Sequence, residues 1–267
     1  MDTPGRQDAE RTTGMGAGDG VARTAALLRA LADAEPGGGS TSALARAAGL
    51  PRATTHRLLT SLAGVGLADR DRATGAWHVG PELYVLGTAA SRRYDMTATA
   101  QPSVRRLADL TGESAFFSVR RGDETVCLVR EDGSFPLRSH VLHEGARFPL
   151  GVVSAGMAVL AHLPDEEVEA YLERSDLAAA HGPQHAPDLV RAHVARTRQD
   201  GWATNPGLVV QGSWGMAAAV FDAHDRPVAA LSITGVEHRF ADERRPELGR
   251  LLLREAHALG GRLRDRV

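Results

Sequence analysis

Apolar positions recur along this chain with two different periods. In VARTAALLRALADAE (21–35), Ala25, Leu28, Leu31 and Ala32 mark a helical stripe. PGGGS (36–40) reads as a flexible turn that delivers Ser40 or Thr41 as the N-cap of a short helix, TSALARAAG, which Gly49 closes. Pro51 suits the first turn of the next helix, where Leu58, Leu59 and Leu62 lie at helical spacing. GVGLADRD, RATGA and WHVGPEL then predict a strand, a tight turn at Gly75 and a second strand with Trp77 and Val79. Three helices followed by a hairpin is the order of a winged helix-turn-helix.

PELYVLGTAASRR and the segment around QPSVRRLADLTG (101–112) predict connecting helices. Beyond Gly112 the period shortens to two in SAFFSVRR, ETVCLVRE and PLRSHVLH, separated by RGD and EDGSF. Helical patterns return in VVSAGMAVLAHL, in PDEEVEAYLE with its acids in the first turn, and in DLVRAHVARTRQDG. GMAAAVFD and VAALSITG, joined by AHDRP, predict a terminal hairpin, and ELGRLLLREAHALGGRL a last amphipathic helix carrying Leu248, Leu251, Leu252 and Leu259. The expected fold class is α+β, in four parts. These are a disordered tail over 1–19, a winged helix-turn-helix over 20–80, a linker helix over 81–100 and a second α/β domain over 101–267.

Charge alters this picture locally. The 267 residues carry a net charge of −2, so no general affinity for polyanions is expected. All 31 basic residues are arginine. Between Thr41 and Arg72, however, five arginines (46, 52, 57, 70, 72) face two aspartates (69, 71). A solvated polar helix face explains Arg52, Thr54, His56 and Arg57 when that helix is read alone. A DNA-reading surface explains them together with their flanks, because Ala45, Gly49, Leu50, Leu58 and Leu62 supply the small crossing residue, the turn and the anchors of a helix-turn-helix. The candidate DNA contacts are Ser40, Thr41, Arg52, Thr54, His56 and Arg57, with Arg70, Arg72 and Thr74 in the wing. Guanidinium groups can fork onto guanine or phosphate. Thr55 shares the Leu58/Leu59 face and is expected to point inward.

Cys127, the single cysteine, sits in the apolar run TVCLV and reads as an inert buried thiol in a reducing compartment. No apolar run reaches membrane-spanning length, and the N-terminus has no apolar signal region, so a cytoplasmic protein is expected.

SALARAAGLPRATTHRLLTSLAGVGLADRD followed by WHVGPELYVLG resembles the DNA-binding domain of the IclR family of bacterial transcription regulators. FPLGVVSAGMAVLAHLPDEE resembles that family's effector-domain segment, and GMAAAVFDAHDRPVAALSITG its final hairpin, so the likeness spans about Val21 to Phe240. It implies a GAF-like effector domain, a homodimer or homotetramer, a palindromic double-stranded DNA operator, and a small organic acid as effector. By matching motif, the implied effector residues are Ser154, Ala155, Asn205, Gly215, Ser232 and Thr234, with Met216 beside them. N–H groups opening the helix at 154 can receive a carboxylate, and Ser232 and Thr234 alternate onto one strand face. Close helix packing explains SAGMA equally well, and ordinary strand polarity explains the two hydroxyls.

Relatives sensing small keto acids often carry an acidic run in place of TNPGLVVQG, a cysteine in place of Gly215 and a lysine in place of Met157. Here Asn205, Leu208, Val209, Val210, Trp214 and Met216 make the surroundings apolar, which points to a larger aromatic or aliphatic acid. No cofactor or metal is expected. The pairs His140/His143 and His181/His185 lack a scaffold that would hold both rings on one face. GxSxG, HExxH and phosphate-binding glycine loops are missing, so an enzyme is not expected. The contrasting reading is a small-molecule or metal sensor acting through protein contacts with little sequence-specific DNA binding.

Overall fold

The computed structural model describes residues 17–91, 96–137 and 141–265, and these fall into two compact units that meet in sequence near residue 94. Most of the tail expected over 1–19 lies outside the described residues, but Ala17 to Asp19 already belong to the first helix.

The first unit contains α1 (Ala17–Asp33), α2 (Thr41–Ala47), α3 (Arg52–Gly64), the hairpin β1 (Ala68–Arg70) and β2 (Trp77–Val79), and α4 (Pro81–Ser91). Leu27, Leu31, Leu44, Leu59, Leu62 and Trp77 close its core. The buried stripe of α1 is rotated from the expected one. Leu27, Ala30 and Leu31 are buried and Ala32 is exposed, because the large leucines choose the face and alanine accepts either side.

The glycine turn is not flexible. Gly39 exchanges two 2.9 Å backbone hydrogen bonds with Trp77, adding a third edge to the wing. Gly38 turns the chain at φ +69°, where a side chain would be strained. The Glu35 carboxylate accepts from Val79 N–H at 2.9 Å and pairs with His78 Nδ1 at 3.1 Å. Ser40 caps α2, its hydroxyl accepting from Ala43 N–H.

Of the linker helix expected over 81–100, residues 81–91 are helical, 92–95 lie outside the described residues and 96–100 belong to a helix that runs on to Thr111. α4 ends at Ser91, and α5 (Met96–Thr111) opens the second unit. β3 (Ser114–Arg121), β4 (Glu124–Glu131) and β5 (Arg147–Pro149) follow, then α6 (Ser154–Ala161), α7 (Asp165–Arg174), α8 (Leu177–His181) and α9 (Pro187–Asp200). β6 (Ala203–Pro206), β7 (Ser213–Phe221), β8 (Pro227–Val236) and α10 (Arg245–Arg264) complete it.

The six strands form one antiparallel sheet in the order β5-β4-β3-β8-β7-β6. Strand alternation divides it into two faces. Phe117, Met216, Ala218, Leu231 and Ile233 pack with α5 and α10, while Ala217, Ala219 and Ala230 pack with α6 and α9. The strand expected over PLRSHVLH is not formed at 136–137 or 141–143, and 138–140, with His140, lies outside the described residues. The edge position belongs instead to Arg147–Pro149, on β4.

Candidate nucleic-acid interface and effector cleft

α2 and α3 are joined by a turn in which Gly49 takes φ +64° and Leu50 N–H returns to Ala45 O at 2.9 Å. α3 turns Thr55, Leu59 and Leu62 inward, the Thr55 hydroxyl donating to Pro51 O. Arg52, His56 and Arg57 are thereby left exposed, with Thr54 half-buried beside them. Neither Arg52 nor Arg57 makes an ion pair among the described residues, and Arg46 stands equally open at the end of α2. Arg46 was not singled out in the sequence, although it contributes to the same arginine surplus.

The wing is organised by Trp77. Its indole N–H donates to the Thr41 hydroxyl at 3.0 Å, its ring meets His56 edge-on at 6.3 Å, and the Arg70 guanidinium lies over it at 5.3 Å. The Thr41 hydroxyl is thus an acceptor for Trp77, and a DNA contact from it would use its O–H as donor. The wing tip is set by Asp71, whose carboxylate accepts from Ala73 and Thr74 N–H at 2.7 and 3.0 Å. Those N–H groups, Thr74 first, hold its pKa below the usual carboxylate range. The Thr74 hydroxyl accepts from Ala76 N–H, so it too is used inside the turn, whereas Arg72 projects free.

In the second unit, Ser154, Asn205, Gly215 and Thr234 meet in one cleft. Its walls are Val141, Leu142, Val153, Val209, Val210, Ser213 and Trp214. Among the described residues no charged side chain lines it. The Thr234 hydroxyl is buried without a hydrogen-bond partner, and so is that of Ser232 on the same strand face. Gly215 belongs here because a Cβ would stand 3.0 Å from Ser154 Oγ. The first N–H groups of α6 have no intrahelical acceptor, and Val153 supplies no side-chain cap. Gly156 lets α6 press against Pro149 O, so the close-packing reading of SAGMA holds alongside the cleft.

Three expected residues fall elsewhere. Met216 is on the opposite sheet face, packed towards α5 and α10, because Gly215 and Met216 are neighbours on a strand. The Ala155 side chain is in the core, leaving only its N–H on offer, and Ser232 does not line the cleft. Leu208 likewise points away from it, into a separate groove beside α9.

Two residues lie behind the cleft wall: Gln184, unmarked in the sequence, and His185, weighed there only as half of a metal pair. Gln184 Nε2 donates to Leu208 O at 2.8 Å. His185 is fully buried against the backbone of Gly151 and Leu208, and burial lowers its pKa. Cys127 is buried too, its thiol pushed up to about 12 chiefly by desolvation. Among the described residues no group of three His, Cys, Asp or Glu side chains is placed to hold a metal.

Residues 20–72 match the IclR helix-turn-helix domain, and residues 88–260 match the C-terminal domain of bacterial transcriptional regulator IclR. The chain belongs to the IclR family. It is a helix-turn-helix DNA-binding transcription regulator with an effector-binding domain. It is similar to the transcriptional repressor IclR of Escherichia coli K12, 30% identical over 215 residues that cover 80% of this chain and 78% of that protein. A solved transcriptional regulator from Rhodococcus sp. RHA1 superposes with a TM-score of 0.72 at 28% identity, covering 92% of this chain and 98% of the other. An IclR homologue from Microbacterium hydrocarbonoxydans, solved with 4-hydroxybenzoate, shares the fold at a TM-score of 0.72 and 23% identity, over 91% of this chain and 99% of that one. No helix among the described residues is long and apolar enough to cross a membrane.

Proposed function

We propose that this regulator is a repressor that binds a palindromic operator as a homo-oligomer and responds to a small aromatic or aliphatic acid in the Ser154–Thr234 cleft. The reading rests first on Arg52 and Arg57, exposed and unpaired on the second helix of a helix-turn-helix. Charged groups left unpaired on such a face are available to phosphates and guanine edges.

The effector class follows from the cleft. Valines and Trp214 form its walls, the N–H groups at the start of α6 offer positive potential, and Thr234 holds an unused hydroxyl. An acid with an apolar body fits that lining, and the Microbacterium homologue holds a ligand of this kind. Oligomerisation is supported by α4, which exposes Tyr84, Val85 and Leu86 together. Two copies related by a two-fold axis would read half-sites about one helical turn apart, or a multiple of it.

The test is fluorescence anisotropy of the full chain on the DNA upstream of its own gene, against scrambled DNA, at two salt concentrations. Preference for the upstream DNA that survives the higher salt, and release by 4-hydroxybenzoate or a related acid, is the expected result. Equal binding to both DNAs, erased by salt, would leave only phosphate attraction and overturn the reading.

A further inference from the structure

The cleft is narrow. The free space between its walls is about 20 Å³, room for one water molecule, whereas a cavity that takes benzene measures about 150 Å³. An aromatic acid cannot enter without moving part of the wall. One part of that wall is Gly207–Gly212, which carries Val209 and Val210 over the cleft and exposes half of Val210 to solvent. Both its ends are glycines with positive φ, +75° and +79°, conformations an L side chain rarely adopts.

At its far end Val210 O accepts from Ser213 N–H at 3.0 Å and Gly212 O from Glu237 N–H at 2.9 Å, and at its near end side chains hold one residue, Leu208. Leu208 N–H donates to Asn205 Oδ1 at 3.0 Å, and Leu208 O accepts from Gln184 Nε2 at 2.8 Å. Asn205 is itself anchored on the far side, its Nδ2 donating to Val152 O at 2.8 Å just before α6. One side-chain amide thus ties the segment to the loop that opens the effector helix. Each of its polar atoms makes one of these bonds, which leaves one N–H and one lone pair beyond the latch.

We infer that Gly207–Gly212 is a lid on the effector cleft and that Asn205 is its latch, a positioning residue that governs admission of the effector. The inference rests on the reading of the cleft as the effector site. The amide is required because the latch needs a donor and an acceptor on one short side chain. Asn205→Asp keeps the acceptor for Leu208 but sets a carboxylate against Val152 O. Asn205→Ala removes both bonds, and Gln184→Ala removes the second hold on Leu208 from a half-exposed position.

The experiment is hydrogen–deuterium exchange across 206–213 in the full-length protein, paired with stopped-flow binding of 4-hydroxybenzoate. The latch predicts exchange about tenfold faster in Asn205→Ala, the scale of one net hydrogen bond, and an acceleration in Asn205→Asp and Gln184→Ala as well. It also predicts that association and dissociation of the probe speed up together while the equilibrium constant moves less. A merely structural asparagine would weaken binding through dissociation alone. Unchanged exchange in both Asn205→Ala and Gln184→Ala, or an unchanged association rate in a protein that binds the probe, would overturn the lid. Failure of every variant and the parent to bind 4-hydroxybenzoate counts against the proposed effector class, and the exchange arm still decides the lid.

Discussion

The two units use arginine in opposite ways. In the effector unit arginines staple: Arg174 forks onto Asp123, Arg191 onto Glu169, and Arg239 and Arg244 converge on the buried Glu113. In the first unit Arg46, Arg52, Arg57 and Arg72 stand open, and the start of the glycine turn is joined to the wing by His78 Nδ1 and the Glu35 carboxylate. A chain with 31 arginines and no lysine cannot reveal that division by composition. Whether a guanidinium already has a partner separates a structural cation from one offered to DNA.

That contrast breaks most visibly at Glu113. It is 1% exposed, accepts from both Arg239 and Arg244 near 2.8 Å, and so holds the end of α5 against the turn that follows β8. Glu113→Ala should leave two guanidinium groups facing a void and cost the effector unit about 3–5 kcal/mol, read by denaturant unfolding. A loss below about 1 kcal/mol would show those arginines to be as dispensable as surface ones.

On the other side of the comparison, Arg52→Ala and Arg57→Ala should leave unfolding within about 0.5 kcal/mol of the parent. Each should weaken operator binding by about 1–3 kcal/mol if it reads a base. Unchanged affinity in both variants would sink the recognition-helix assignment, whatever the effector cleft does.

The smallest expected effect is on the pH dependence of the effector unit. His185 and His193 have pKa values lowered from 6.5 by burial, so in the folded chain they resist protonation. The unfolded chain binds those protons readily. Stability is therefore full above about pH 6.5 and falls as pH drops below it towards the folded values. Glu35, Asp123 and Asp222, held below their ordinary carboxylate values, lose their contributions only at lower pH. The transition of the effector unit should therefore decline between about pH 7.5 and pH 5.5. A level curve would show that burial of His185 and His193 carries no such cost.

Much of this arrangement was legible where one local period sufficed. Leu59 and Leu62 with Gly49 marked the helix-turn-helix, and the terminal hairpin and the last helix followed from alternation and a leucine stripe. The error at Met216 was avoidable. Expecting Gly215 and Met216 in one site asks adjacent strand residues to face the same way, and Gly215 pairs with Thr234 whereas Met216 pairs with Ile233.

Other features depend on partners distant in sequence. Thr41 looks free until Trp77, 36 residues on, donates to it. PGGGS looks mobile until the wing supplies an edge for Gly39. The three- and four-residue strands β5 and β6 are too short to show a period, and their pairing with β4 and β7 defines them. Glu113 has no pattern at all, because its partners lie 126 and 131 residues away.

The isolation of Cys127 has a practical consequence for following the lid. With its thiol pushed up to about 12, only about one molecule in ten thousand carries a thiolate at pH 8, and that sulfur is shielded from solvent. A maleimide dye will therefore pass over the native protein. Val210→Cys, at a position 52% exposed on the moving segment, would give one reactive sulfur without deleting the original. A single fluorophore there would report lid opening in an otherwise unaltered chain, during DNA binding as readily as during effector binding.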